Sequence, residues 1–361
     1  MPTVVVVGED VDVVVAGGRV AGSLTSIHAA RQGLRVRVLE PHSLPSDTLS
    51  THFFRGAGLV AALDAVGALD RVLSAGPPRL TAEWFAVEGG EPDKHGPQDP
   101  GGAGYCLCVR RVTLDAILAD RARTEGVDVR WGRRAAEVLR NAEGRVVGVR
   151  DDAGEEHRAR VVVGADGRRS SIARLVGAAD VARHPAARAM YFRYGAGWVG
   201  RDDEPAPEFS LVGNELAYAF PCDGGLVCVA LSVPVSAHVA ARSDVAGYAM
   251  DRLARHPGLA DRLADVEWTG RVRVGLPADS VLRVAAGPGW ALVRDAGTAQ
   301  DPWAGFGMDT AARQAAALVD CLVARPDDWW TAYPAARDAA TRDAFDVASR
   351  HAPDLRTMLA G

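Results

Sequence analysis

The sequence predicts an α/β protein: a Rossmann-like unit that carries a β-meander, joined to a second unit built on an antiparallel sheet. Three observations lead there. The apolar run "VDVVVAG" enters a glycine cluster and then helix-forming sequence, "GRVAGSLTSIHAARQG". Between about 127 and 164, alternating apolar residues are punctuated by Asn141–Gly144 and Asp151–Gly154, which is turn chemistry for a meander. Residues 189–233 then give the strand-like runs "AMYFRY", "ELAYAF" and "GLVCVALSV" with no helical pattern between them.

The elements follow in order. A buried strand covers 11–16, and the helix after it covers 20–32 with Leu24 and Ile27 inward. "LRVRVLE" makes a second strand that closes at Glu40 and is stopped by Pro41. The polar loop "PHSLPSDTLSTH" leads into helical sequence from Gly56 to Ser74, then a strand over 80–88. "EGGEPDKHGPQDPGGAG" reads as an exposed Gly/Pro loop. A helix near 111–125 precedes the meander, which ends in "VVVGADG". The antiparallel strands are followed by a helix near 243–255, a strand near 266–273, the strand "WALV" and a loop to Gly307. A helix with the stripe Ala311, Ala315, Leu318 and Leu322 comes next, and further helix near 335–350 closes the chain. The expected division is 1–79, 106–181 and 268–325 for the first unit, 80–105 and 182–267 for the second, and C-terminal helices over 326–361.

Composition excludes several classes. The 361 residues are 48% hydrophobic with a formal net charge of -5, so neither nucleic acid nor an anionic membrane is an expected partner. No apolar stretch reaches the ~18 residues a transmembrane helix needs. The N-terminus meets Glu9 and Asp10 quickly and lacks the basic start of a signal peptide, so a cytoplasmic protein is expected. Five cysteines with no C-x-x-C read as free thiols, and no metal site is expected. The basic residues are almost all arginine; Lys94 is the one lysine.

The glycine cluster carries the first functional signal. A dinucleotide turn uses three glycines: for the tight turn, for backbone approach to the pyrophosphate, and for close helix–strand packing. Gly17 and Gly22 meet the first and third needs, and Arg19 stands at the middle position, where it adds both a Cβ and a positive charge. Glu40 ends the next strand, where a carboxylate accepts both ribose hydroxyls. The bland alternative is a plain βαβ unit with a packing glycine.

From this point the sequence resembles the p-hydroxybenzoate hydroxylase-like flavoproteins, which include aromatic hydroxylases and geranylgeranyl reductase-like enzymes. Four segments carry the resemblance. "GGRVAG" followed by "PSDTLSTH" is similar to a bacterial branch with arginine in the turn. "GADGRRSSIAR" is similar to the family's DG motif, which implies Asp166 and Gly167 beside the flavin; a common Asp-Gly turn capping a helix is the plain reading. "RDAGTAQDPWAGFG" resembles G-D-A-x-x-x-x-x-P. It implies Asp295 on the ribityl chain and Pro302, Gly305 and Gly307 along the isoalloxazine, with Arg294 in place of the usual glycine. "VRRVTLDAIL" resembles R-x-x-L-x-x-x-L and implies Arg111, with Arg110 as the alternative, on the cofactor side; Arg55 is a further candidate for the pyrophosphate.

The resemblance implies FAD as bound cofactor, NAD(P)H as transient reductant, O2 as co-substrate and a lipophilic small molecule as substrate. The reaction it implies is hydroxylation or epoxidation through a flavin C4a-hydroperoxide. Tyr191, Tyr218, Phe220 and Trp303 are the expected pocket residues, and His52 the expected polar group near the ring, against the plain reading of a surface-loop histidine. Saturation of prenyl double bonds is the first rival, favoured by "YAFP" and "STHF". A flavin-binding cyclase without redox turnover is a second. Halogenation is disfavoured, because halogenases of this superfamily need a pocket lysine and a W-x-W-x-I-P segment. The sequence does not fix an oligomeric state.

Overall fold

In the computed structural model, which describes residues 11–50, 53–97, 102–238 and 244–360, the valine-rich first strand is an inner strand of an eight-stranded sheet. Val11–Ala16 pairs in parallel with Val36–Glu40 on one side and with Glu156–Gly164 on the other. Asp128–Trp131 and Trp290–Leu292 extend the sheet outward, again in parallel. A parallel sheet is covered on both faces, so its inner strands have no polar face to show. Val13, Val15, Val36 and Val38 pack on one side against helices Val20–Arg31, Arg111–Thr124 and Gly307–Ala324. Val14, Ala16, Leu39 and Val162 pack on the other against the meander hairpin Ala135–Arg140/Val146–Asp151 and Ile172. His157, fully buried, ties the meander to the sheet: its ring nitrogens lie 3.2 Å from Asp151 Oδ2 and 3.3 Å from Arg37 Nη1.

The second sheet has seven strands and is apolar on both faces. Met190, Phe192, Tyr218 and Phe220 form one apolar cluster with Phe53 of the first unit, where Phe53–Phe54 pairs with Leu107–Cys108. Tyr191, Ala217, Ala219 and Leu231 point the other way, under helices Val245–Leu253 and Pro257–Leu263.

Two expectations change. Glu267–Gly275 pairs with Arg188–Ala196 inside this second sheet, so the boundary drawn at 267/268 moves past Gly275. The helix expected from Gly56 to Ser74 is three short pieces, Gly56–Val60, Ala61–Ala65 and Leu69–Leu73. Gly58 leaves the helical region (φ -99°, ψ -106°) and Gly67 is left-handed (φ 67°), which a run of one helix does not accommodate. Helix Trp329–His351 lies along Gly307–Ala324, and its Tyr333 Oη donates to Leu292 O at 3.0 Å. Among the described residues, no helix is long and apolar enough to cross a membrane.

Candidate functional site

Four loops leave the C-terminal ends of neighbouring parallel strands. Gly17 follows the first strand, the 41–50 loop follows Glu40, Ala165 follows Gly164, and Val293 follows Leu292. In open α/β sheets the crevice beyond these ends is where ligands bind.

The first loop requires its glycines. Gly17 has φ 97° and a Cβ there would stand 2.6 Å from Ala165 O. A Cβ on Gly22 would stand 1.8 Å from Gly17 O, so helix Val20–Arg31 approaches its own strand as closely as a backbone allows. Arg19 has φ -86°, a conformation open to any residue, and no glycine is needed there. Its side chain turns aside: Nη1 lies 2.9 Å from Asp115 Oδ2, and Nη2 donates to Ser46 Oγ at 3.0 Å. Asp115, whose side chain is wholly buried, also accepts from Arg111 Nε at 2.9 Å. One carboxylate thus holds two guanidinium groups beside the turn, leaving a net positive charge. Glu40 is buried and accepts from Gly18 N at 2.7 Å and from His42 N at 3.0 Å. A carboxylate has about four lone-pair sites, so both oxygens keep capacity for further donors.

Asp166 and Gly167 lie against this turn, with Asp166 Cα 3.1 Å from where a Gly17 Cβ would be. The Asp166 carboxylate faces the start of helix Ser171–Val176. It accepts from Ser170 Oγ at 2.5 Å and from Ser171 N at 2.6 Å. Burial raises its pKa above the ordinary value.

The last loop explains Arg294. It adopts φ 51°, the left-handed region that glycine would fill, and so keeps the path of the chain. Its Nε donates to Gly307 O at 2.7 Å, Nη1 meets Thr298 O, and Nη1 lies 2.7 Å from Asp295 Oδ1. Desolvation lowers its pKa, and Asp295 opposes that. Pro302 opens a short turn, Gly305 is left-handed at φ 69°, and Gly307 begins the 18-residue helix. Asp301, buried before Pro302, accepts from Trp303 N at 3.2 Å, and burial pushes its pKa up to about 6.

Arg55 reaches the same loop. Its backbone N donates to Asp309 Oδ1 at 3.1 Å, and its guanidinium lies over the rings of Phe53 and Phe306 at 5.4 and 5.0 Å. Arg55 Nη1 is buried without a hydrogen bond, 3.6 Å from Asp309 Oδ2.

Beside this loop lies the aromatic cluster. Phe53 stacks on Phe220 at 4.9 Å, Tyr218 stacks on Phe220 at 4.6 Å, and Trp303 packs against the same group. Tyr191 does not join them. It stands on the opposite face of its strand, with its Oη 2.6 Å from His238 Nδ1, because successive strand residues alternate sides. Tyr194 and the thiols Cys108 and Cys228 continue the inner face, and burial raises the pKa of all three. His52 lies outside the described residues.

Sequence reading missed Asp115, Asp309 and Asp301. Asp115 was findable four residues after Arg111 on a predicted helix, the spacing at which such pairs meet. Asp309 takes partners some 250 residues away, Arg55 and Leu59, and nothing local marks it.

Comparison with known proteins accords with this geometry. The family described as "FAD binding domain" matches residues 10–193. Rifampicin monooxygenase of Streptomyces venezuelae is 32% identical over 46% of this chain and 34% of its own length. Digeranylgeranylglycerophospholipid reductase 2 of Methanothermobacter thermautotrophicus is 35% identical over 46% of this chain and 42% of its own. The match thus spans less than half of either relative. Kynurenine 3-monooxygenase of Salinispora tropica is 28% identical over 95% of this chain and 80% of its own length. The crystal structure of P. aeruginosa PqsL in complex with 2-aminobenzoylacetate shares the fold, with TM-score 0.81 and 23% identity over 96% of this chain and 97% of that one. With half of its length matched by the family, and with a close-packed glycine turn held by a buried carboxylate to go with it, this chain belongs to the FAD-binding domain family.

Proposed function

We propose that the protein is an FAD-dependent monooxygenase that hydroxylates or epoxidises a lipophilic, aromatic small molecule, with NADH or NADPH as reductant. The observation that carries this reading is the stacked Phe53–Phe220–Tyr218 group standing beside the Pro302–Gly307 loop. The residues fit the cofactor on two counts. The Gly17–Gly22 turn has no room for a Cβ at either glycine, and Arg55 keeps a buried donor atom unused beside Gly305.

Bound FAD supplies electron transfer from the nicotinamide and activation of O2. The chain's own residues do the rest. Glu40 would accept the ribose hydroxyls, and Arg19 and Arg111, both held by the shared Asp115, would offset the pyrophosphate charge. Asp295 would accept hydrogen bonds from the ribityl hydroxyls. The start of helix Gly307–Ala324 would offer backbone N–H groups to negative charge on the reduced flavin. Tyr218 and Phe220 orient a flat substrate and exclude water from the reacting face.

The test is to load the protein with FAD, reduce it anaerobically with NADPH or NADH, and mix with 18O2 and a panel of aromatic and polyene compounds. One 18O atom in a product establishes the oxygenase. The second reading, reduction of prenyl C=C bonds, is favoured by the likeness to the Methanothermobacter reductase over nearly half of this chain. It predicts a product two hydrogens heavier with no 18O. If neither nicotinamide bleaches the flavin, both readings are overturned.

A further inference from the structure

The helical turn Leu355–Ala360 follows helix Trp329–His351 and lies far in sequence from the strands of the second sheet. It nevertheless packs on them. Leu355 is fully buried in the same apolar cluster as Met190, Tyr218 and Phe220, and Met358 rests half-buried against that cluster.

The segment is fixed from both sides. Arg188, almost wholly buried, donates to Asn214 Oδ1 at 2.9 Å, Asn214 O at 2.7 Å, Ser232 Oγ at 2.7 Å and Ala352 O at 3.2 Å. Asn214 passes the hold on: its Oδ1 accepts from Leu355 N at 2.9 Å and its Nδ2 donates to Pro353 O at 2.8 Å. On the other side, Trp303 Nε1 donates to Ala348 O at 2.8 Å and its ring meets His351 edge-on at 6.4 Å. His351 Nδ1 lies 2.6 Å from Thr357 Oγ1. The turn therefore bridges Trp303, on the Pro302–Gly305 loop, and the aromatic face of the sheet.

We propose that Leu355–Ala360 forms the size-limiting wall of the substrate chamber and that Met358 is the side chain that sets how large a flat aromatic compound enters. This rests on the reading of the Tyr218–Phe220 face as the substrate chamber. Leu355 is the buried anchor. Met358 is unbranched, half-buried and adaptable, as a specificity-setting position requires. Leu359, on the same turn, is exposed at 52% and serves as an internal control.

The test uses the FAD-loaded full chain and two probes, bicyclic 2-naphthol and tetracyclic 1-hydroxypyrene, with binding read from the visible spectrum of the bound flavin. Met358→Ala is expected to tighten 1-hydroxypyrene, and Met358→Trp to weaken 2-naphthol, each by on the order of tenfold. Leu359→Ala is expected to change neither. Flavin stoichiometry reports folding, and Met358→Ala, a shortening at a half-buried position, keeps the test usable if the tryptophan variant fails to fold. Unchanged affinities in both Met358 variants, with a shift in Phe220→Ala, overturn the wall and leave the chamber. No binding of either probe to the unsubstituted protein, or a silent Phe220→Ala, overturns the chamber and the wall with it.

Discussion

Arg19 shows how one residue carries two duties. It stands where most nucleotide turns have glycine, yet its backbone is ordinary, and it shares Asp115 with Arg111 so that the pair keeps a net positive charge beside the turn. Arg19→Gly leaves that buried carboxylate with Arg111 alone, and is expected to cost about 1–3 kcal/mol of folding stability. Urea denaturation measures this, and flavin titration is expected to show weaker FAD binding in the same variant. Asp301 gives a pH dependence. Its pKa rises from the ordinary 3.8 to about 6 on folding because burial disfavours the charge. A carboxyl with a raised folded pKa binds a proton more tightly when folded. Its contribution to stability is therefore full below about pH 4 and is lost as pH rises through about 6. In FAD-free protein, Asp301→Asn is expected to add up to about 3 kcal/mol at pH 7 and nothing at pH 4. Urea midpoints that shift equally at both pH values would refute the assignment.

Elements meet at positions that tolerate little change. Helix Val20–Arg31 reaches its strand through Gly22, where a Cβ would overlap Gly17 O. Gly22→Ala is expected to displace the helix, cost on the order of 3 kcal/mol and abolish flavin retention, read from the 450 nm absorbance after purification. Arg188 joins a strand, the Asn214 turn and the end of helix Trp329–His351. Arg188→Met leaves several buried acceptors unpaired and is expected to lower stability by at least about 3 kcal/mol in thermal unfolding. The strands also show where sequence reading stops. Alternation puts Tyr191 and Phe192 on opposite faces, but it names the face toward the nucleotide turn only when one face is polar. Both faces of this sheet are apolar, so the sequence does not separate Tyr191 from Tyr218; the packing does.

For the whole molecule, the sequence was most readable where one short stretch must perform a backbone task. The Gly17–Gly22 turn, the Asp166–Gly167 turn and the Pro302–Gly307 loop each announce themselves locally, and all three gather at one edge of the parallel sheet. Contacts made by side chains from remote stretches were not readable. Asp309 under Arg55 and Leu355 over the aromatic face depend on tertiary packing that no periodicity encodes. Glu40→Ala tests the assembled edge: it removes the acceptor shared by Gly18 and His42 and is expected to weaken FAD affinity at least about tenfold in a flavin-fluorescence titration.

The interleaving of the two units also has a consequence for synthesis. Val11–Ala16 leaves the ribosome some 270 residues ahead of Trp290–Leu292, yet the sheet around it is completed by that strand and covered by Gly307–Ala324. At roughly 5–20 residues per second, that interval is on the order of tens of seconds. During its later part, the edge of Val162–Gly164 that pairs with Trp290–Leu292 and the face of Val13 and Val15 that Gly307–Ala324 helps to cover wait for partners not yet made. Slower, cooler expression and a chaperone that shields extended apolar chain are therefore expected to raise the soluble yield, while the finished protein needs neither.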